Sequence, residues 1–171
     1  MGANMTSWAF NAATRFVQQE RMRSEEWALA LQRHQKLVAQ APILWESTRE
    51  ALQSQIQTFN EHVGRQVLVA TATGDNKVAV YAKTEPDPRA ITVEFDSERH
   101  WITCSAQPAK GPADFEERIQ ITINDQSKVG IALSNGMDCT PEEAASHVLD
   151  GLMGWSVTAE ADSNLPSVIP A

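Results

Sequence analysis

A chain of 171 residues, 42% apolar and 21% charged, is long enough for one ordinary core, and no apolar run approaches the ~20 residues that a membrane span requires. Its net charge of −8 falls wholly on residues 65–171, because residues 1–64 carry six basic and six acidic side chains. That acidic half repels phosphate backbones and anionic headgroups, so the expectation excludes nucleic acid as a general partner.

Thr6-Ser7 can cap a helix that begins at Trp8. Trp8, Ala12 and Phe16 then recur one turn apart, with Asn11, Arg15, Gln18 and Gln19 on a polar face. Ser24, followed by Glu25 and Glu26, is a second start signal, since acids suit a first helical turn. No Gly or Pro interrupts residues 8–41, however, so a continuous helix is expected there.

The next stretch has the clearest helical period. Leu31, Val38, Trp45, Leu52 and Phe59 fall at steps of seven, with Trp27, Ile56 and Val63 beside them. A step of seven returns to nearly the same helix face. The companion seam (His34, Ala41, Thr48, Gln55) is poor in large apolar residues, whereas a dimeric coiled coil wants both seams apolar. The stripe therefore suits packing on a sheet or on another helix.

Pro42 interrupts this pattern, since it lacks an N–H and disfavours helical geometry at Ala41. Either one long helix kinks near Gln40, or a second helix starts with Pro42 at its first position. Gly64 fits a C-terminal cap.

From Arg65 the period changes from three or four to two. Six strands are expected: 66–73, 77–84, 90–96, 100–107, 115–124 and 128–134. Gly74-Asp75-Asn76, Glu85-Pro86-Asp87-Pro88, Ser97-Glu98-Arg99, 108–114 and Asp125-Gln126-Ser127 separate them. Alternation implies one dry face, and short turns imply an antiparallel meander. Asn135-Gly136 ends it. Thr140-Pro141-Glu142-Glu143 then combines a Thr cap, Pro at the first helical position and a capping box, which starts a helix over 141–153. Gly154 ends that helix, Trp155 is expected to dock, and 158–171 reads as a mobile tail.

The fold expected is α+β: an N-terminal helical region (1–64), an antiparallel sheet with a C-terminal helix (65–157) packed with it as one unit, and the tail.

Signals for chemistry are sparse. His34, His62, His100 and His147 show no paired ligand spacing, and there is no C-x-x-C, so neither metal nor cofactor is expected. Cys139 precedes a helix start, which can lower a thiol pKa, but Asp138, Glu142 and Glu143 oppose a thiolate. Cys104 alternates into a strand and reads as core. Glu94, Asp96, Glu98, Glu116 and Glu117 read as a solvated acidic surface rather than an acid–base pair. No phosphate-cradling or nucleophile-elbow motif occurs. No catalytic residue is assigned; His100 and Cys139 are the candidates an unfamiliar enzyme would use.

Met1 to Phe10 lacks a basic and an apolar leader region, and two thiols suit a reducing compartment, so a cytoplasmic protein is expected. The function expected is interaction or assembly: the helical region associates with itself or docks a protein partner through Trp27, Leu31, Val38, Trp45, Leu52 and Phe59. The alternative is a binder of a small apolar ligand, held under a curved sheet by Ile91, Val93, Phe95, Ile119, Ile121 and Ile123.

Overall fold

The computed structural model describes residues 3–155. The element order is α1 (Ala3–Val63), β1 (Leu68–Ala72), β2 (Lys77–Ala82), β3 (Arg89–Asp96), β4 (Trp101–Pro108), β5 (Phe115–Ile123), β6 (Val129–Ala132), β7 (Asp138–Cys139) and α2 (Pro141–Met153). The architecture is the α+β arrangement expected, with one strand more than the six anticipated. The extra strand, β7, is two residues long and pairs Cys139 with Ile131 across the Asn135-Gly136 turn. A strand this short presents no alternation to read.

The helical region is a single helix of 61 residues that contains Pro42. It also runs through Thr6-Ser7 and Ser24, so neither capping signal starts it. A Ser or Thr in a helix interior costs at most ~0.7 kcal/mol, too little to stop a helix favoured on both sides. An interior Pro costs ~3 kcal/mol, because it leaves the carbonyl four residues back without a partner. Here Pro42 is exposed, and that carbonyl belongs to Val38, whose residue is also exposed. The turn that follows is secured by burial of Ala41, Trp45, Thr48 and Leu52. Thr48 adds a hydroxyl hydrogen bond to the Leu44 carbonyl at 2.8 Å.

The seven strands lie in chain order in one antiparallel sheet. Its register lines up Val78, Val93, Cys104 and Glu117 across β2 to β5, and Phe95, Ile102 and Ile119 in the next row. The inner face packs against the C-terminal half of α1 and against α2, which contributes Ala144, Ala145, Val148 and Leu152 to the same core. Asn60 ties the two halves of the chain together at their junction. Its carboxamide oxygen accepts from the Val67 and Leu68 N–H groups, and its nitrogen donates to the Leu68 carbonyl.

α2 begins and ends as its sequence requires. The Thr140 hydroxyl accepts from the Glu143 N–H, and the Glu143 carboxylate accepts from the Thr140 N–H. Gly154 closes the helix at φ 73°, the left-handed region that glycine enters without penalty. Trp155 does not dock. It is 60% exposed, because the chain leaves the helix through Gly154 with the Trp155 N–H tied to the Asp150 carbonyl. The tail, 158–171, lies outside the described residues.

Arg89 anchors α2 to the sheet. Its guanidinium grips Asp114 with two hydrogen bonds of 2.6 Å and donates to the Leu152 carbonyl at the helix C-terminus. That side-chain hydrogen bond holds the Asp114 carboxyl below its usual range. A carboxylate with a depressed folded-state pKa stabilises the fold above its unfolded value of ~4, and that stability is lost as pH falls through the folded value. Urea midpoints measured down a pH series should therefore drop below about pH 4, and D114N should remove part of that drop.

Candidate interaction surface

α1 is two different helices in one. From Arg33 onward it touches the rest of the chain. Arg33 donates to the Asn124 carbonyl at 3.0 Å and to the Ile123 carbonyl at 3.4 Å, and Lys36 donates to the Ser127 carbonyl. These two cations hold the β5–β6 turn. Further on, Trp45 stacks on Phe95 with ring centroids 5.9 Å apart and donates its indole N–H to the Asp75 carbonyl at 2.8 Å.

Before Arg33 the helix touches no other element through any hydrogen bond or ion pair of the described residues. Between Trp8 and Gln32 every residue is exposed except Ala12, which is half-buried. At 1.5 Å per residue, the stretch from Ala3 to Gln32 is an arm of ~45 Å. It is not polar: Trp8 is 74% exposed, Trp27 69% and Phe16 60%, and Phe10, Val17, Met22 and Leu31 are exposed with them. Isolated exposed apolar residues are ordinary, but here many occur along one projecting helix.

The stripe seen in the sequence is thus divided. Trp45 and Leu52 are buried in the chain's own core, and Phe59 packs against it partly buried. Trp27, Leu31 and Val38 are exposed. The step of seven also continues N-terminally through Phe10, Val17 and Ser24 before Leu31, drifting ~20° around the helix at each step. Ser24 is the polar member that breaks the signal. Trp27 and Phe16 lie whole numbers of turns before Trp45 and Leu52, so these two carry the sheet-packing face of α1 past the end of the sheet.

The space under the sheet is occupied. Ile91, Val93, Phe95, Ile119 and Ile121 are each at most 4% exposed, and Ile123 packs against the same core. Clefts of about 550, 600 and 300 Å³ lie elsewhere, lined by β4–β6 residues around Glu116 to Arg118, by α1 and β1 around Asn60, and by β6, β7 and the α2 start.

The titratable groups divide as follows. Cys104 is buried; desolvation, with Glu117 nearby, pushes its thiol far up. Cys139 is pushed up to about 11 by burial, Glu143 and Asp138, which outweigh any help from the α2 N-terminus. Both thiols are protonated at neutral pH. His100 is 9% exposed at φ 56°, with its ring tilted against His34 at 6.1 Å and its Nδ1 without a hydrogen-bond partner among the described residues. Among the described residues no group of three or more His, Cys, Asp or Glu side chains is placed to hold a metal.

Glu117 differs from the solvated surface expected of it. Its side chain is 11% exposed, accepts from the Ser134 N–H at 3.0 Å and lies 3.0 Å from His147 Nε2. Burial pushes its pKa up, but the bonds from Ser134 and His147 win and hold it below the usual range. The signal was present in the period: counting back by two from Ile121 and Ile119 places Glu117 on the inner face. Glu94, by contrast, is on the wet face, with a side chain 57% exposed beside Lys77 at 3.7 Å.

No protein-family model matches the chain, and neither curated proteins nor solved structures show significant similarity to it. Among the described residues no helix is long and apolar enough to cross a membrane.

Proposed function

We propose that this is an interaction or assembly protein whose projecting helical arm associates with itself or docks a protein partner. One observation carries the reading: the apolar face that packs on the sheet from Ala41 onward continues along the arm through Leu31, Trp27 and Phe16, where no other described element covers it. Burying a Trp or Phe removes ~150–250 Å² from water, so covering this face is strongly favourable. The sheet and α2 form the scaffold that holds the arm out. Two free cysteines suit work in the cytoplasm.

The test compares affinity capture by the full chain with capture by W27E/L31E. Both positions are exposed, so the sheet domain keeps its stability in the variant. Binding partners, including further copies of the chain, should be retained by the wild type and lost with the variant. Identical capture by both would overturn the reading.

A further inference from the structure

We propose that Asn60 locks the β1 edge of the sheet: its carboxamide occupies the main-chain groups of Leu68 and so keeps β1 from pairing with β1 of a second copy. A sheet edge is a row of unpaired N–H and C=O groups, ready to take a strand from another chain. The strand order leaves two edges among the described residues, β1 and β7. β7 has two residues and leads through Thr140 into α2, so it offers almost no row. β1 has five, and a cleft of about 600 Å³, bordered by Gln53, Gln57 and Asn60 of α1, lies beside it.

The pairing with β2 decides which groups face that edge. The Lys83 N–H donates to the Val67 carbonyl, and the Thr73 N–H donates to the Lys77 carbonyl. Hydrogen-bonding direction alternates along a strand, so the odd-numbered residues of β1 face β2, and Leu68, Ala70 and Ala72 face outward. Among the described residues, Leu68 is the one of these three whose outward groups are engaged. Its N–H donates to Asn60 Oδ1 at 2.9 Å, and its carbonyl accepts from Asn60 Nδ2 at 2.8 Å. A residue of a neighbouring antiparallel strand makes the same reciprocal pair of bonds. The carboxamide is a peptide-like group, so Asn60 stands in for one residue of a strand.

The place of the contact gives it its effect. Two β1 strands pairing antiparallel about Ala70 would match Leu68 with Ala72, Ala70 with Ala70 and Ala72 with Leu68, each as a hydrogen-bonded pair. With Leu68 taken in both copies, the two outer pairs are lost and the central pair alone is left. That single pair is too little to offset the freedom two chains lose on association.

The composition of β1 fits the same reading. Natural edge strands are commonly blunted by Lys, another charge or Pro. β1 reads Leu-Val-Ala-Thr-Ala and holds none of these. The block comes from the last turns of α1 instead.

The experiment compares the full chain with N60A and N60A/T71K by sedimentation equilibrium over a concentration series. Thr71 is exposed, so a Lys there charges the edge without touching the Asn60 contact. N60A should reach at least about twice the wild-type mass at high concentration, as a two-fold pair requires, and T71K should return it to the wild-type mass. Hydrogen exchange should show the Ala70 and Ala72 amides exchanging fast in the wild type and becoming protected in concentrated N60A. An N60A chain that keeps the wild-type mass throughout would overturn the lock. So would association that T71K leaves intact, or that leaves Ala70 and Ala72 unprotected, since it would come from a loosened fold rather than from the edge. If N60A does not fold, N60D takes its place. It keeps the acceptor for the Leu68 N–H and frees the Leu68 carbonyl, so a smaller rise in mass that T71K reverses is expected, and no rise would overturn the proposal.

Discussion

Replacing Trp45 by Ala is expected to cost ~3–5 kcal/mol of stability, the range for emptying a buried Trp site. Trp45 is 3% exposed and does three things at once. It fills the space between α1 and the sheet, stacks on Phe95, and pins the β1–β2 turn through its indole N–H on the Asp75 carbonyl. It also lies one turn beyond Pro42, so its packing offsets the weakest point of the helix. Trp45→Phe should keep most of the stacking and lose the hydrogen bond, a net ~0.5–1.5 kcal/mol plus the smaller ring's cavity. Urea denaturation followed by far-ultraviolet circular dichroism reads both, with midpoints falling and slopes unchanged. Equal losses for the two variants would mean that the indole N–H, not ring packing, carries the effect.

The second large effect is a contrast between two leucines on one stripe. Leu52 and Leu31 share the step of seven, but Leu52 is 2% exposed and Leu31 40%. Leu52→Ala should destabilise the chain by ~2–5 kcal/mol, because the core closes only partly around a lost isobutyl group. Leu31→Ala should change the stability of the dilute chain by no more than ~0.5 kcal/mol. Its effect should instead appear in the partner capture proposed for the arm, as weaker retention than by the wild type. Equal destabilisation of the dilute chain would mean that the arm folds back onto the sheet in solution.

Local chemistry accounts for most of the legible fold. The Thr140-Pro141-Glu142-Glu143 start of α2 is correct to the residue, since a capping box is a contact among neighbours in sequence. Six of the seven strands are recovered with ends within two residues, because period-two alternation reports the dry face directly. The helix start at Trp8 fails because a cap signal is weak beside helical propensity on both sides. The docking of Trp155 fails because burial depends on what lies near Gly154 in space, not on the residue type.

The surface was less legible. Trp27, Leu31, Val38, Trp45, Leu52 and Phe59 look equivalent in a periodic pattern, since periodicity reports which face a residue shares and not what stands opposite. Glu117 was misplaced for the complementary reason. A charged residue at an inward position looks like surface until Ser134 and His147 are brought to it from 17 and 30 residues away.

By itself, the sequence determined the helix-to-sheet switch at Gly64, the meander, α2 with its caps, and one apolar stripe along a Trp-bearing neutral helix. All of these follow from contacts within a few residues or from a repeating period. Only the tertiary structure decided that α1 is unbroken at Pro42, and that the sheet covers the stripe from Ala41 but not before Arg33. A strand is only a few residues long, so a sheet covers only a limited length of helix. The 61-residue helix outruns it, so its N-terminal part keeps its apolar side chains exposed.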